Sequence, residues 1–233
     1  MSTEIPPAGS GGDAGAAARL QILATEHWSL LATRALTYNE ALSRVTIFLS
    51  IVSGALIALA LVAQADHFGP IFISIAIPML LIVMFVGITT VSRLTALNRD
   101  DYRWVIGMNR LRRGYVDLHP ELEQYFITSP HDDLYGALQT LGIDAVSAPK
   151  RLGSWIHIPQ TLPAILSVIV AAVGGAIVAL IALAIAIPPL AIGLVAAAAF
   201  VIVLLVMGAW NRRSIKNSPP SLQPKFPSPI KSR

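Results

Sequence analysis

Side chains capable of chemistry are few in this sequence, and the densest group is His131-Asp132-Asp133. Imidazole and carboxylate groups ligate metals, but neighbouring residues on a helix point about 100° apart, so two adjacent aspartates do not converge on one ion. The preceding Ser129-Pro130 favours a helix start, with Ser129 as N-cap, Pro130 as first helical residue and Asp132 as the acidic third position. The sequence therefore predicts a capping role, with no catalytic residue, metal site or cofactor.

A second distinctive group is the basic patch at residues 109–113, in which Arg110, Arg112 and Arg113 stand close together. Guanidinium groups bind phosphates and carboxylates, so the patch could contact an anionic lipid headgroup, a nucleotide phosphate or an acidic partner. However, segment 92–160 balances its eight basic residues with eight acidic ones, which favours a solvated helix face. No nucleic-acid-binding motif accompanies the charge, so nucleic acid is not expected as a partner.

The C-terminal segment 211–233 holds six basic residues and no acidic ones. Arg212, Arg213 and Lys216 directly follow an apolar run, where attraction to anionic lipid headgroups is worth about 1 kcal/mol for each residue. Ordinary retention of basic residues in the cytoplasm explains them equally well. The five prolines of the segment predict a disordered tail, and its Pro-Lys-Phe-Pro sequence at 224–227 matches a PxxP pattern for docking a partner.

The composition indicates a membrane protein. Of 233 residues, 55% are hydrophobic and 13% are charged, with a mean hydropathy of +0.66. Soluble domains carry about 25% charged residues. The absence of cysteine excludes disulfides, thiol nucleophiles and thiolate metal sites, and it suits a chain that faces the reducing cytoplasm.

Four uncharged segments are long enough to cross a bilayer core, which takes about 20 residues. The stretch between Arg151 and Arg212 is long enough for two spans, and Ile187-Pro188-Pro189 divides it because proline disfavours helix. The predicted fold class is therefore all-α, a polytopic membrane protein with two transmembrane helical hairpins. Its spans are residues 45–65, 71–91, 162–186 and 190–210.

Lysine and arginine lie on one side of these spans. Segment 1–44 holds three of the 17, segment 92–160 holds eight and segment 211–233 holds six, whereas the two connecting turns hold none. Basic residues that flank spans stay in the cytoplasm. Both termini and the central segment are therefore predicted to be cytoplasmic.

Two long helical extensions are predicted on that side, one before the first span and one after the second. The apolar positions of the first extension are Leu20, Leu23, Trp28, Leu31, Ala35, Tyr38 and Leu42. Those of the second are Leu94, Leu97, Tyr102, Val105, Met108, Leu111, Tyr115 and Leu118. Because a tight turn joins the two spans, we expect the extensions to be antiparallel and to bury these faces together as a stalk.

The predicted organisation has five parts. They are a disordered N-terminal tail (1–18), the first transmembrane hairpin with its extensions (19–118), a cytoplasmic helical linker (119–160), the second transmembrane hairpin (161–210) and a basic, Pro/Ser-rich disordered tail (211–233).

Inside the spans the polar chemistry is sparse. None of the four contains Asp, Glu, Lys, Arg or His, whereas proton-coupled transporters and pumps place ionisable residues there. Small residues at four-residue intervals let helices pack closely, either within one chain or between chains. They are Ser50, Gly54 and Ala58 in the first span and Ala171, Gly175 and Ala179 in the third.

Three segments together resemble a family of uncharacterised membrane proteins from high-GC bacteria. They are EHWSLLATRALTYNEALSR (26–44), VIGMNRLRRGYVDLHPELEQYF (105–126) and TSPHDD (128–133). The resemblance covers roughly residues 20–210 and implies a bacterial plasma membrane setting without implying an activity. The layout is also loosely similar to SLATT-type effector domains, in which a membrane hairpin with cytoplasmic helices is thought to act in conflict systems. The second hairpin is a departure from that pattern.

The leading functional prediction is a non-enzymatic integral membrane protein that acts through its cytoplasmic helices as a scaffold, sensor or assembly partner. Its predicted partners are the lipid bilayer with its anionic headgroups, further copies of the chain and a cytoplasmic protein. An oligomeric pore or channel-like effector is the alternative, and the uncharged spans make a small-solute transporter less favoured. An enzyme is least favoured, since no nucleophile–base pair or metal cluster is evident.

Overall fold

The computed structural model describes residues 10–142, 161–216 and 222–229, and across these ranges it is helical, with no strand. The prediction of an all-α chain is confirmed. The α-helices of the described residues are α1 (Ser10–Asp66), α2 (Pro70–Leu118), α3 (Leu134–Thr140), α4 (Leu162–Ala184) and α5 (Pro189–Lys216), and a 3-10 helix (Pro120–Tyr125) follows α2.

Four of these helices, α1, α2, α4 and α5, are long and apolar enough to cross a membrane. The predicted set of four apolar helices is thereby confirmed. With 57 and 49 residues, α1 and α2 are more than twice as long as a span requires, since a span takes about 20 residues. Each therefore has a long portion beyond its apolar segment.

The chain divides into two compact units, in each of which segments distant in sequence pack together. The polar unit contains the described residues 10–37, 100–142 and 222–229. The apolar unit contains the described residues 38–99 and 161–216. Part of the predicted linker, residues 143–160, lies outside the described residues.

In the apolar unit, a capped turn joins α1 to α2. The backbone carbonyl of Asp66 accepts the N–H of Gly69 at 2.9 Å, and its carboxylate accepts the N–H of Phe72 at 2.7 Å. A Cβ atom at Gly69 would lie 2.8 Å from Asp66 Oδ2, so the turn leaves room only for glycine there. The carboxylate satisfies a first-turn N–H group of α2, as an N-cap does.

The core of the apolar unit brings α1, α2 and α4 together. A Cβ atom at Gly87 would lie 3.1 Å from the Phe48 ring and 2.5 Å from Val170 Cγ2. Glycine at this position of α2 thus lets a buried side chain of α1 and one of α4 approach from two directions. On α4, Gly175 packs against α5, where a Cβ atom would lie 3.0 Å from the carbonyl oxygen of Ala196.

In the polar unit, α1 and α2 pack in antiparallel order. Leu23 lies against Gly114 and Leu30 against Gly107, since Cβ atoms at the glycines would come within 3.2 and 3.0 Å of the leucine methyl groups. Further along, Arg34 Nε donates to Asp101 Oδ1 at 2.6 Å. The core of this unit consists of Val105, Ile106 and Met108 of α2 with Ala137 of α3, and Leu30, Tyr102, Leu141 and Leu222 pack against it.

The apolar face predicted for the first extension is partly wrong. Trp28 is 71% exposed and Leu31 is 44% exposed, whereas Leu30 faces α2. The face predicted for the second extension is confirmed at Val105 and Met108, which are buried. The prediction succeeds better for α2 than for α1 because several segments cover α2 in the polar unit. The contacts of α1 follow only one narrow strip of the helix.

Candidate functional site

The loop at residues 129–133 leads into α3 in the polar unit. Asp133 is the N-cap of this helix, because its carboxylate accepts the N–H of Gly136 at 2.8 Å. The predicted cap, Ser129, instead accepts the N–H of His131 at 3.1 Å, and Pro130 lies before the helix. The prediction of a helix cap here named the wrong residue, because the N-cap is Asp133 and not Ser129. Serine and aspartate both cap helices, and only the packing of the loop selects between these two positions.

Glycine is required at position 136 by the same loop. A Cβ atom there would overlap the backbone carbonyl of His131 and would lie 2.9 Å from Ser129 Oγ. The loop therefore folds back directly over the first turn of α3. This places the carboxylates of Asp132 and Asp133 side by side, with different surroundings.

Asp132 lies outside the helix, and its side chain is 0% exposed. Its Oδ2 accepts from Arg110 Nε at 2.7 Å and from the backbone N–H of Lys225 at 2.8 Å. Its Oδ1 accepts from the backbone N–H of Phe226 at 2.7 Å, and its own N–H donates to the Phe226 carbonyl at 3.2 Å. The prediction that Asp132 is a first-turn acid is wrong, since it binds an arginine and a distant segment of chain.

Burial by itself would raise the pKa of Asp132, because desolvation disfavours a carboxylate. Hydrogen bonds from the Lys225 N–H, from Arg110 and from the Phe226 N–H outweigh this, and the pKa of Asp132 is lowered. The pKa of Asp133 is also lowered, because bonds from Gly136 and Ser228 outweigh its desolvation. Both groups are therefore ionised at neutral pH.

Residues 222–229, which we name the strap, lie against these carboxylates. Ser228 donates its N–H to Asp133 Oδ2 and its hydroxyl to Asp133 Oδ1, both at 2.9 Å. Arg110 Nη2 donates to the carbonyl of Gln223 at 2.9 Å, and Leu222 packs on the core of the unit. The tail was predicted to be disordered over residues 211–233. For the strap the structure shows a docked segment instead, because carboxylates distant in sequence bind its N–H groups.

Asn109 holds the loop and α3 on α2, although it is a polar residue with 0% exposure. Its Nδ2 donates to the His131 carbonyl at 2.8 Å. Its Oδ1 accepts from Arg112 Nη1 at 2.7 Å and from Thr140 Oγ1 at 2.9 Å. Sequence reasoning treated Asn109 only as the start of a basic patch, since an asparagine among arginines carries no periodic signal.

The arginines of the predicted patch are each engaged within the chain. Arg110 pairs with Asp132, Arg112 donates to Asn109, and Arg113 Nε lies 2.9 Å from Asp117 Oδ1. The expectation of a solvated basic face is therefore wrong for Arg110 and Arg112, which are partly buried. Burial lowers the pKa of the Arg112 guanidinium, and the charge of Arg34 lowers it further.

Comparison of the chain with protein-family models, with curated proteins and with solved structures finds no match.

The remaining basic candidates, Arg212, Arg213 and Lys216, form the last residues of α5. Their side chains lie outside the described part of the structure. Contact with anionic lipid headgroups stays a prediction for them. Within residues 10–142, 161–216 and 222–229, no three acidic or histidine side chains converge on a position for a metal ion.

The two stripes of small residues have different surroundings. Ala171 and Gly175 are buried and pack within the chain, and Ala179 is half-buried. Ser50 and Gly54 are exposed, and no atom lies within 4 Å of a Cβ placed at Gly54. Ser50 and Gly54 of the first stripe are thus left uncovered within the chain, whereas Ala58 is half-buried and the second stripe is used for internal packing.

Hydroxyl groups of the apolar helices bond to their own helices. Ser50 donates to the carbonyl of Thr46 at 2.9 Å, and Ser167 donates to that of Pro163 at 2.7 Å. Thr90 donates to the carbonyl of Val86 at 2.7 Å. Such bonds satisfy hydroxyl donors without a solute or water.

Glu40 links α1 to α2 at one end of the apolar segments. Its carboxylate accepts from Arg93 Nε at 2.9 Å, from Arg93 Nη2 at 3.0 Å and from Arg44 Nε at 2.8 Å. Hydrogen bonds from Arg93 and then Arg44 lower the pKa of Glu40 to about 2. The three side chains form an ion-pair network that stays charged at neutral pH.

Proposed function

We propose that this chain is a non-enzymatic membrane protein that works as an assembly partner. Copies associate through one face of α1 and present the polar unit as a scaffold in the cytoplasm. The observation that carries this proposal is an uncharged, exposed face of α1, which we name the α1 seam. Its residues follow one another at three- or four-residue steps and are all exposed: Ile22, Thr25, Ser29, Ala32, Leu36, Asn39, Ser43, Ile47, Ser50, Gly54, Ile57 and Leu61.

The first part of the seam belongs to the polar unit and precedes the long uncharged run at 45–65. Ile22 is 68% exposed and Leu36 is 69% exposed, and beside them Trp28 is 71% exposed. Large apolar residues grouped on one helix face support a protein contact, and tryptophan often anchors such contacts. Alternating steps of three and four residues are the spacing of helix-to-helix seams.

The second part of the seam belongs to the apolar unit, where Ser50 and Gly54 are small and exposed. In a membrane, small residues let two helix backbones approach closely and gain van der Waals contact. Open space around a Cβ at Gly54 leaves room for a neighbouring helix.

A second copy of the chain fits this seam better than an unrelated partner. The seam residues carry no charge, so two identical faces can meet without repulsion between like charges. Closed pairs of identical subunits use the same patch on both members, which requires such self-complementarity.

The cytoplasmic side and the bacterial plasma membrane belong to the same proposal. The placement of all 17 basic residues outside the spans and their two turns supports the orientation. The resemblance to membrane proteins of high-GC bacteria supports the membrane. A non-enzymatic role is supported by Asp132 and Asp133, whose oxygens bind donors of the chain itself.

Cysteine cross-linking in native membranes tests the assembly. The natural chain contains no cysteine, so a single engineered thiol is read without background. An Ala32→Cys variant should form disulfide-linked dimers under mild oxidation, because Ala32 lies on the seam. The matched control is Leu31→Cys, which is exposed but lies off the seam. Equal dimer yields from the two variants would contradict the proposal.

Ion flux from liposomes containing the purified protein separates assembly from the alternative of a pore. A scaffold gives no flux above that of empty liposomes. Gly54→Leu adds bulk to the seam. If the natural protein gives ion flux and this variant does not, the protein forms a pore along the same helix face and the scaffold proposal is wrong.

A further inference from the structure

We propose that Asp132, Asp133 and Arg110 form a binding site for an extended, proline-spaced peptide, and that the strap is its built-in occupant. The site is independent of the α1 seam. It would accept a segment of the same chemistry supplied separately once the strap is removed.

The site recognises the main chain of its occupant. The carboxylate of Asp132 accepts the consecutive N–H groups of Lys225 and Phe226 at 2.8 and 2.7 Å. The backbone N–H of Asp132 returns a bond to the Phe226 carbonyl at 3.2 Å. These paired bonds hold the peptide at a single register, as a short piece of backbone pairing does.

Two further main-chain contacts extend the register in both directions. Arg110 donates to the carbonyl of Gln223 at 2.9 Å, and Asp133 accepts the N–H of Ser228 at 2.9 Å. The site thus binds main-chain atoms of residues 223, 225, 226 and 228.

Prolines occupy positions of the strap from which the site takes no N–H group. Residues 224, 227 and 229 are proline, and proline has no backbone N–H. Proline also restricts the residue before it to extended conformations. Such a segment loses little conformational entropy on binding, which is the usual advantage of proline-rich ligands.

Side chains add selectivity to this main-chain recognition. Leu222 packs on the core of the polar unit, and Phe226 is half-buried. The hydroxyl of Ser228 donates to Asp133 Oδ1 at 2.9 Å, whereas Lys225 is exposed. The ligand class is therefore a peptide with two apolar residues four positions apart, followed by proline and a serine or threonine.

Charge explains why the site needs an occupant. The side chain of Asp132 is 0% exposed and ionised, with Arg110 as its guanidinium partner. Removing the strap would take away two N–H donors, and water would have to replace them at the newly exposed carboxylate. A tethered strap supplies them at an effective concentration of about 1 mM, so a competing peptide must bind tightly.

The first experiment uses a full-length variant in which the strap is replaced by an equal length of glycine and serine. The probe is a fluorescent synthetic peptide, Leu-Gln-Pro-Lys-Phe-Pro-Ser-Pro. We expect it to bind this variant at least about tenfold more tightly than the natural chain, whose own strap fills the site. Equal binding to both proteins would overturn the proposal.

Two controls test the recognition itself. Asp132→Asn in the strap-replaced background should weaken peptide binding at least about tenfold, the loss expected for charge-assisted bonds. The matched variant Asp117→Asn, at an exposed carboxylate, should leave binding unchanged. A peptide methylated on the backbone nitrogen of its phenylalanine should bind as weakly as the Asp132→Asn variant does. If neither Asp132→Asn nor methylation of the peptide weakens binding, recognition of the main chain is excluded.

If the strap-replaced variant does not fold, limited proteolysis of the full-length chain tests whether Asp132 holds the strap in place. Trypsin cuts after Lys225 only when the strap detaches. Asp132→Asn should accelerate this cut at least about tenfold, since the strap loses its main anchor. Asp117→Asn should leave the rate as in the natural chain. A natural chain cut as fast as the free peptide would show that the strap is not bound.

Discussion

Asn109 allows a quantitative test of how the polar unit is held together. We predict that Asn109→Leu, a replacement of similar volume, removes the bond to the His131 carbonyl and those from Arg112 and Thr140. Two of these bonds join α2 to the loop and to α3, and both are between neutral groups, at about 1 kcal/mol each. The bond from Arg112 lies within α2 and does not break when α3 opens, so the expected loss in the opening free energy of α3 and its loop is about 2 kcal/mol.

Hydrogen exchange followed by mass spectrometry measures this loss in detergent. Where exchange requires local opening, amides of α3 should exchange about thirtyfold faster in the variant, because every 1.4 kcal/mol is a factor of ten. Amides of α4, which belongs to the apolar unit, should keep their natural rates. The matched control is Asn98→Leu on the same helix α2, at an exposed position.

Unchanged exchange of α3 in Asn109→Leu would contradict the prediction, because it would mean that the bonds to His131 and Thr140 contribute no net stability. Acceleration of α3 and α4 alike would refute it in another way, since the effect would not be confined to the unit that contains the bonds.

Three further predictions concern the loop, the ion pairs and the orientation. Gly136→Ala should destabilise the polar unit by about 1–3 kcal/mol, because the alanine methyl group would overlap the His131 carbonyl. Thermal unfolding measures this loss. The control Gly15→Ala should show no such loss, because a Cβ there meets nothing within 4 Å. The pKa of Glu40 is lowered to about 2, so its stabilising contribution is present above the ordinary value of 4.5 and is lost as pH falls through about 2; an NMR titration of its carboxyl group with a midpoint near 4.5 would contradict this. Reporter fusions in the α1–α2 and α4–α5 turns should report the outer face and a fusion in the 3-10 helix the cytoplasm, and the reverse pattern would overturn the orientation.

The docked strap changes the expected effect of truncating the C-terminus. A tail that was disordered throughout could be removed without consequence. Because Lys225, Phe226 and Ser228 bind buried or half-buried carboxylates, deleting the strap should expose Asp132 and loosen the loop before α3. Unchanged exchange of that loop after the deletion would show that the strap contributes little to its stability.

The sequence by itself determined the four apolar helices and the helical class. Transfer of a segment into a membrane depends on the summed hydropathy of about 20 consecutive residues, which is a local quantity. The buried face of the second extension was predictable for a related reason. Val105 and Met108 lie in a part of α2 that several segments cover, so apolar periodicity and burial agree there.

Only the tertiary structure decided which face of α1 is buried. The apolar residues of its first part surround much of the helix, and periodicity alone selected Trp28 and Leu31. Close approach is possible where α2 carries Gly107 and Gly114. Leu23, which periodicity had also selected, packs at Gly114, whereas Leu30, which periodicity had not selected, packs at Gly107. The position of a neighbour's glycines is not encoded in the pattern of α1 itself.

The strap and the Asp132 site were likewise decided by tertiary contacts. Locally, residues 222–229 have the composition of a disordered tail, and His131-Asp132-Asp133 has that of a helix start. Their bonds join positions 93 to 95 residues apart. The local sequence of each segment does not indicate that it binds the other. A carboxylate in a polar loop has the same sequence context whether it faces water or a distant peptide. Its pairing is set by which surfaces the packing of α2 and α3 brings together.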